Sequence, residues 1–81
     1  MIEELKFEDR SITKIVAELK WHMVIIEKDF NNVWKWKFSI FKDTPGALGW
    51  ELILEKWKID SLVEAKKRAS SNFYTKLGKN I

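Results

Sequence analysis

The sequence predicts an α+β domain: a three-stranded antiparallel meander with a C-terminal helix packed on one face, preceded on the favoured reading by a short helix (α-β-β-β-α). Three observations carry this. Residues 33–41 alternate Trp34, Trp36, Phe38 and Ile40 with Lys35, Lys37 and Ser39, the period of a half-buried strand. An apolar stretch, Trp21 to Lys28, precedes them through Asp29-Phe30-Asn31-Asn32, and an Asn pair suits a tight hairpin turn. Further on, Leu62, Ala65, Ala69, Phe73 and Leu77 share one helical stripe. Ser61 and Glu64 open that helix as a capping box, and Gly78 follows it as a C′ glycine.

If Asn31 and Asn32 form the turn, Phe30 faces Val33, Ile26 faces Lys37 and Ile25 faces Phe38. This register puts Trp21, Met23 and Ile25 on the core face with Trp34, Trp36, Phe38 and Ile40. Thr44-Pro45-Gly46 breaks the chain. A third strand follows from Trp50 to Trp57, with Trp50, Leu52 and Leu54 read as core and Glu51, Ile53, Glu55 and Trp57 on the other face. Residues 11–20 admit two readings. Ile12, Ile15, Val16 and Leu19 fit a helix capped by Ser11, whereas Ala17, Leu19, Trp21 and Met23 alternate as in a strand. A strand beginning at residue 14 would overhang the 33–42 strand, which favours the helix.

Eighty-one residues, 46% of them hydrophobic, make one domain over 1–81, near the lower size limit for a self-sufficient core. Five Trp, five Phe and one Tyr supply bulk, since each aromatic buries on the order of 150–250 Å². No cysteine is present, which excludes a disulfide scaffold and a thiolate zinc site. The acidic start MIEELKFEDR has no signal-peptide apolar run. The longest apolar run, Met23 to Ile26, falls far short of the ~20 residues of a membrane span. The expectation is a cytoplasmic protein with no membrane partner. The net charge of +3 conceals a gradient: residues 1–10 are net acidic, and residues 61–81 set Lys66, Lys67, Arg68, Lys76 and Lys79 against Glu64 alone.

The chain reads as a non-enzyme without cofactor, metal or small-molecule substrate. His22 is its single histidine, Gly46, Gly49 and Gly78 form no phosphate loop, and the acids are scattered. Glu51 and Glu55 share a strand face but stand roughly 13 Å apart by strand rise, wider than a paired-carboxylate site. What remains is recognition. The predicted open sheet face offers Val24, Ile26, Val33, Phe41, Ile53 and Trp57 to a protein partner or a second copy, ringed by Lys and Glu. The alternative is nucleic acid, held by Lys35, Lys37, Lys66, Lys67 and Arg68, and it requires those cations to converge on one surface. In a third reading residues 1–10 (Ile2, Leu5, Phe7) or the first helix fold over the face and bury it.

The order α-β-β-β-α, with Ser61-Leu62-Val63-Glu64-Ala65-Lys66-Lys67 opening the last helix, is similar to the double-stranded-RNA-binding domain. The likeness holds at Ser61, Ala65 and Lys66. It departs at Leu62 and Val63, where that family places phosphate-binding lysines, and at Asp29-Phe30-Asn31-Asn32, where it places a Gly-Pro-His loop. In size and Lys/Trp-rich texture the whole chain also resembles small phage and mobile-element proteins, the anti-CRISPR inhibitors among them. That resemblance implies action by binding, as an inhibitor of a host or defence nucleoprotein.

Overall fold

The computed structural model describes residues 5–19, 21–44, 46 and 49–76. Five strands, β1 (Glu8–Ser11), β2 (Lys14–Glu18), β3 (His22–Lys28), β4 (Trp36–Asp43) and β5 (Trp50–Ile59), precede one helix, α1 (Leu62–Lys76). The sheet is antiparallel in sequence order, β1-β2-β3-β4-β5. The three-stranded meander with a leading helix is therefore corrected to a five-stranded sheet with one helix, still within the α+β class. The α-first order on which the likeness to the double-stranded-RNA-binding domain rested is not this chain's.

Residues 14–18 form a strand because they pair with the free edge of β3, Lys14 against Glu27 through Glu18 against Met23. The overhang argument considered only β4 as a partner. A turn with Leu19 N–H donating to the His22 carbonyl (2.8 Å) joins the two strands. Ile15 and Ala17 then point to one face and Val16 to the other, all three buried, which no single helical stripe could achieve.

The β3–β4 connection explains the second correction. It is not a two-residue turn at Asn31-Asn32. Asn32 N–H donates to the Asp29 carbonyl and Lys35 N–H to the Asn32 carbonyl, while Asp29 N–H closes the loop on Lys35. The loop absorbs Val33, Trp34 and Lys35, so β4 starts at Trp36. Ile26 then pairs with Phe38, and Ile25 with Ser39, one residue away from the expected register. Because side chains alternate, a one-residue slip exchanges the faces. Val24 and Ile26 become core beside Trp36, Phe38 and Ile40. Met23 and Ile25 turn to the other face, and Trp34 is 83% exposed.

Helix α1 begins as its capping residue dictates: Glu64 N–H donates to Ser61 Oγ (3.1 Å), and Ala65 N–H closes the first helical bond to the Ser61 carbonyl. Ala65, Ala69 and Phe73 bury the predicted stripe against β3, β4 and β5; Leu77 and Gly78 lie outside the described residues. The small Ala pair lets the helix sit close to the sheet. The chain start joins this same layer. Leu5 is buried with its N–H donating to Ser70 Oγ (3.0 Å), and Phe7 packs on the core. Ile2 lies outside the described residues. His22, placed on this face by the register, meets Phe73 edge-on with ring centroids 5.4 Å apart. Burial, and then the nearby Lys42 charge, lowers its pKa below 6.5.

Candidate protein interface

One side of the sheet carries α1. On the other side the described residues place no covering element, and the register specifies what lies there. Nearest the β2–β3 turn, Met23 stands beside Phe41, and Phe41 beside Leu52. Asp43 N–H donates to the Trp21 carbonyl (2.9 Å) and Asp43 pairs with Trp50, which continues the ladder by one row. The next row holds Val16, Ile25, Ser39 and Glu55. The last holds Lys14, Glu27 and Lys37, followed by Trp57. The apolar side chains gather in the first rows, where Glu18 stands beside Met23 and Asp43 beside Trp50, and the last row is mostly charged.

β5 contributes the most exposed part. Trp50, Leu52, Ile53 and Trp57 are all more than one third exposed. Trp50 and Leu52 were expected in the core. They lie outside it because Ile53 is an extra residue: Ile40 pairs with Leu54 but Phe41 with Leu52. This bulge reverses the alternation. Leu54 packs against the core while Leu52 joins Phe41 on the open side. It also separates the two acids expected on one strand face, since Glu51 pairs with Lys42 on the helix side and Glu55 with Ser39 on the open side.

Several charged groups of the face are paired within the molecule. Lys37 Nζ lies 3.3 Å from Glu27 Oε1 and 4.4 Å from the centroid of the Trp57 ring. Ser39 Oγ donates to Glu55 (3.3 Å). Arg10 bonds Glu18 and stands 3.6 Å from Glu8. Between these groups a depression of about 320 Å³ is lined by Arg10, Lys14, Val16, Glu18, Met23 and Ile25.

The residues expected to bind protein thus divide. Phe41, Ile53 and Trp57 lie in this region. Val24 and Ile26 are fully buried beneath α1 and cannot touch a partner. Val33 is exposed in the β3–β4 loop, off the face. Met23, Ile25 and Leu52 are the members that the shifted register hid, and Asp29, a turn-forming side chain at the loop start, is the signal that could have revealed them. Leu5 and Phe7 enter the helix-side core, so the described part of the chain start does not cover the face.

The five cations proposed for nucleic acid fall in three places. Lys37 is on the open face, held by Glu27 and Trp57. Lys35 is in the loop and bonds Asp60; the hydrogen bond and charge of Lys35 hold that carboxyl below the usual range. Lys66, Lys67 and Arg68 are on α1, across the sheet, with Arg68 bonded to Glu64 (2.7 Å). Among the described residues no three His, Asp or Glu side chains gather as a metal site would require. No protein-family model, curated protein or solved structure matches the chain.

Proposed function

We propose that this chain is a non-enzymatic binding domain that recognises a protein through the open face of its sheet. The observation that carries the reading is the row Met23, Phe41 and Leu52, apolar and partly or largely exposed, on a sheet face over which the described residues place no helix. Apolar residues flanked by Glu and Lys have the make-up of an interface core and rim. Nucleic acid is supported less, because Lys35 and Lys37 are engaged by Asp60 and Glu27 and the helix cations stand on the opposite side. A phosphate track needs such charges on one continuous surface.

The test is capture of binding proteins by tagged wild-type chain, Leu52→Lys and Trp57→Ala. Both variants should lose specific partners. Trp57 is 43% exposed and its ring takes the Lys37 cation, a contact worth about 0.5–1 kcal/mol. Adding the apolar area of its buried part, its removal should lower unfolding stability by about 2 kcal/mol, less than the loss of a core Trp. A loss of roughly 3–5 kcal/mol, as for a core Trp, with binding intact would overturn the reading.

A further inference from the structure

We infer that the open face takes a cationic, apolar polypeptide segment, its apolar side chains on the row Met23, Phe41 and Leu52 and its Lys or Arg beside them. The inference rests on the reading of that face as a protein-binding surface and names the chemistry of the partner. Three features of the charge distribution point to it.

The first is the balance of the face. Among the described residues the register and the surface depression place Glu8, Glu18, Glu27, Asp43 and Glu55 there against Arg10, Lys14 and Lys37. The internal pairs do not remove this excess. One guanidinium, that of Arg10, is shared between Glu8 and Glu18, and Lys37 serves Glu27. Among the described residues Asp43 and Glu55 form no ion pair, and Glu55 takes only the Ser39 hydroxyl.

The second is where the excess lies. Glu18 closes the apolar row beyond Met23. Asp43 follows Phe41 by two residues on β4, and Glu55 stands in the row on the other side, opposite Ser39. Side chains two residues apart on a strand are about 6.6 Å apart, so carboxylates border the apolar row on three sides at close range. The cations are farther away or engaged: Lys14 and Lys37 stand two rows off, and Arg10 is turned to Glu18. A Lys or Arg that enters beside an apolar contact here meets a carboxylate, whereas an acidic partner is repelled.

The third is the contrast between the two sides of the molecule. On the helix side Lys28, Lys42 and Lys56 of the strands and Lys66, Lys67 and Arg68 of α1 outnumber Asp9, Glu51 and Glu64. A cationic segment is thus drawn to the open face and turned away from the other. The charge therefore selects the side as well as the partner.

Calorimetric titration of the full chain with synthetic peptides tests this. The peptides alternate leucine with lysine, leucine with glutamate, or serine with lysine over about twelve residues, enough at about 3.3 Å per residue to cross the sheet. The leucine–lysine peptide should bind saturably below about 1 mM, and the other two at least ~10-fold more weakly. Asp43→Asn combined with Glu55→Gln keeps the side-chain shapes and removes the charges. It should weaken the leucine–lysine peptide about 5-fold at low salt, the effect of losing two exposed ion pairs. Asp9→Asn combined with Glu51→Gln makes the same charge change on the helix side and should bind as the wild type does. The inference is overturned if the leucine–lysine peptide does not bind, if either other peptide binds as tightly, or if the two double variants behave alike. In each of these cases, loss of captured partners by Leu52→Lys would leave the recognition reading standing and remove only the cationic chemistry. If capture is also indifferent to Leu52→Lys, both fall.

Discussion

Replacing Asp29 by Ala should destabilise the fold well beyond what a loop substitution ordinarily does. Asp29 is 1% exposed although it begins a surface connection. Its Oδ1 accepts from the Asn31 N–H at 2.9 Å, an Asx turn. Its backbone N–H and carbonyl hold Lys35 and Asn32. Hydrogen bonds to carboxylates contribute about 1.5–3 kcal/mol. Asn31 is exposed, so water can satisfy its N–H once the acceptor is gone, and the loss should sit near the lower figure, about 1.5 kcal/mol. For a domain of this size that is a fall of roughly 6–12 °C in melting temperature. Asp29→Asn keeps an acceptor in place and should cost less than about 1 kcal/mol. Urea unfolding followed by Trp fluorescence reads both, with an unchanged m-value showing that the same surface unfolds. An Ala variant within about 0.5 kcal/mol of wild type, or Ala and Asn variants that are equally destabilised, would refute the role given to this side chain.

Two further predictions concern the helix-side layer. Ala69 is fully buried between α1 and the sheet, so Ala69→Leu should overpack that contact and cost about 1–3 kcal/mol, measured by the same urea titration. His22 binds its proton more weakly folded than unfolded, because burial and the Lys42 charge lower its pKa from 6.5. Its contribution is therefore complete above that value and is lost as pH falls through it towards the lower folded pKa. Melting temperature recorded between about pH 7.5 and about pH 5.5 should decline more steeply for wild type than for His22→Gln; equal slopes would contradict this.

The helix was legible because its signals are local: a capping Ser61, a stripe at helical spacing, and small residues where contact is close. The alternation of Trp36, Phe38 and Ile40 likewise gave the inward side of β4. The register between β3 and β4 was not legible from the Asn pair alone. Asp29 competes for the turn by bonding backbone two residues ahead, and one residue of slip exchanges Val24 and Ile26 for Met23 and Ile25. β2 was hidden for another reason: its partner edge exists only after β3 has formed, and Ile12, Ile15, Val16 and Leu19 satisfy a helical period by coincidence. The bulge at Ile53 leaves no composition signal, so the placement of Leu52 depended on pairing that only the folded sheet defines.

Lys58 has one consequence beyond local geometry. A lysine at φ 59° occupies a conformation that costs a residue with a Cβ about 1–2 kcal/mol, and it does so on the last strand of a growing ladder. A straight ten-residue margin bearing Trp50, Leu52, Ile53 and Trp57 would offer newly made chains a template for indefinite lateral extension. The distortion at Lys58, reinforced by the extra residue Ile53, interrupts that template twice along its length. Lateral extension along this edge, the direction that propagates into fibres, is thereby impeded. The strain held at one surface lysine is in this sense a control on colloidal fate: Lys58→Gly, which adopts a positive φ without penalty, should relieve the strain and keep the interruption in place.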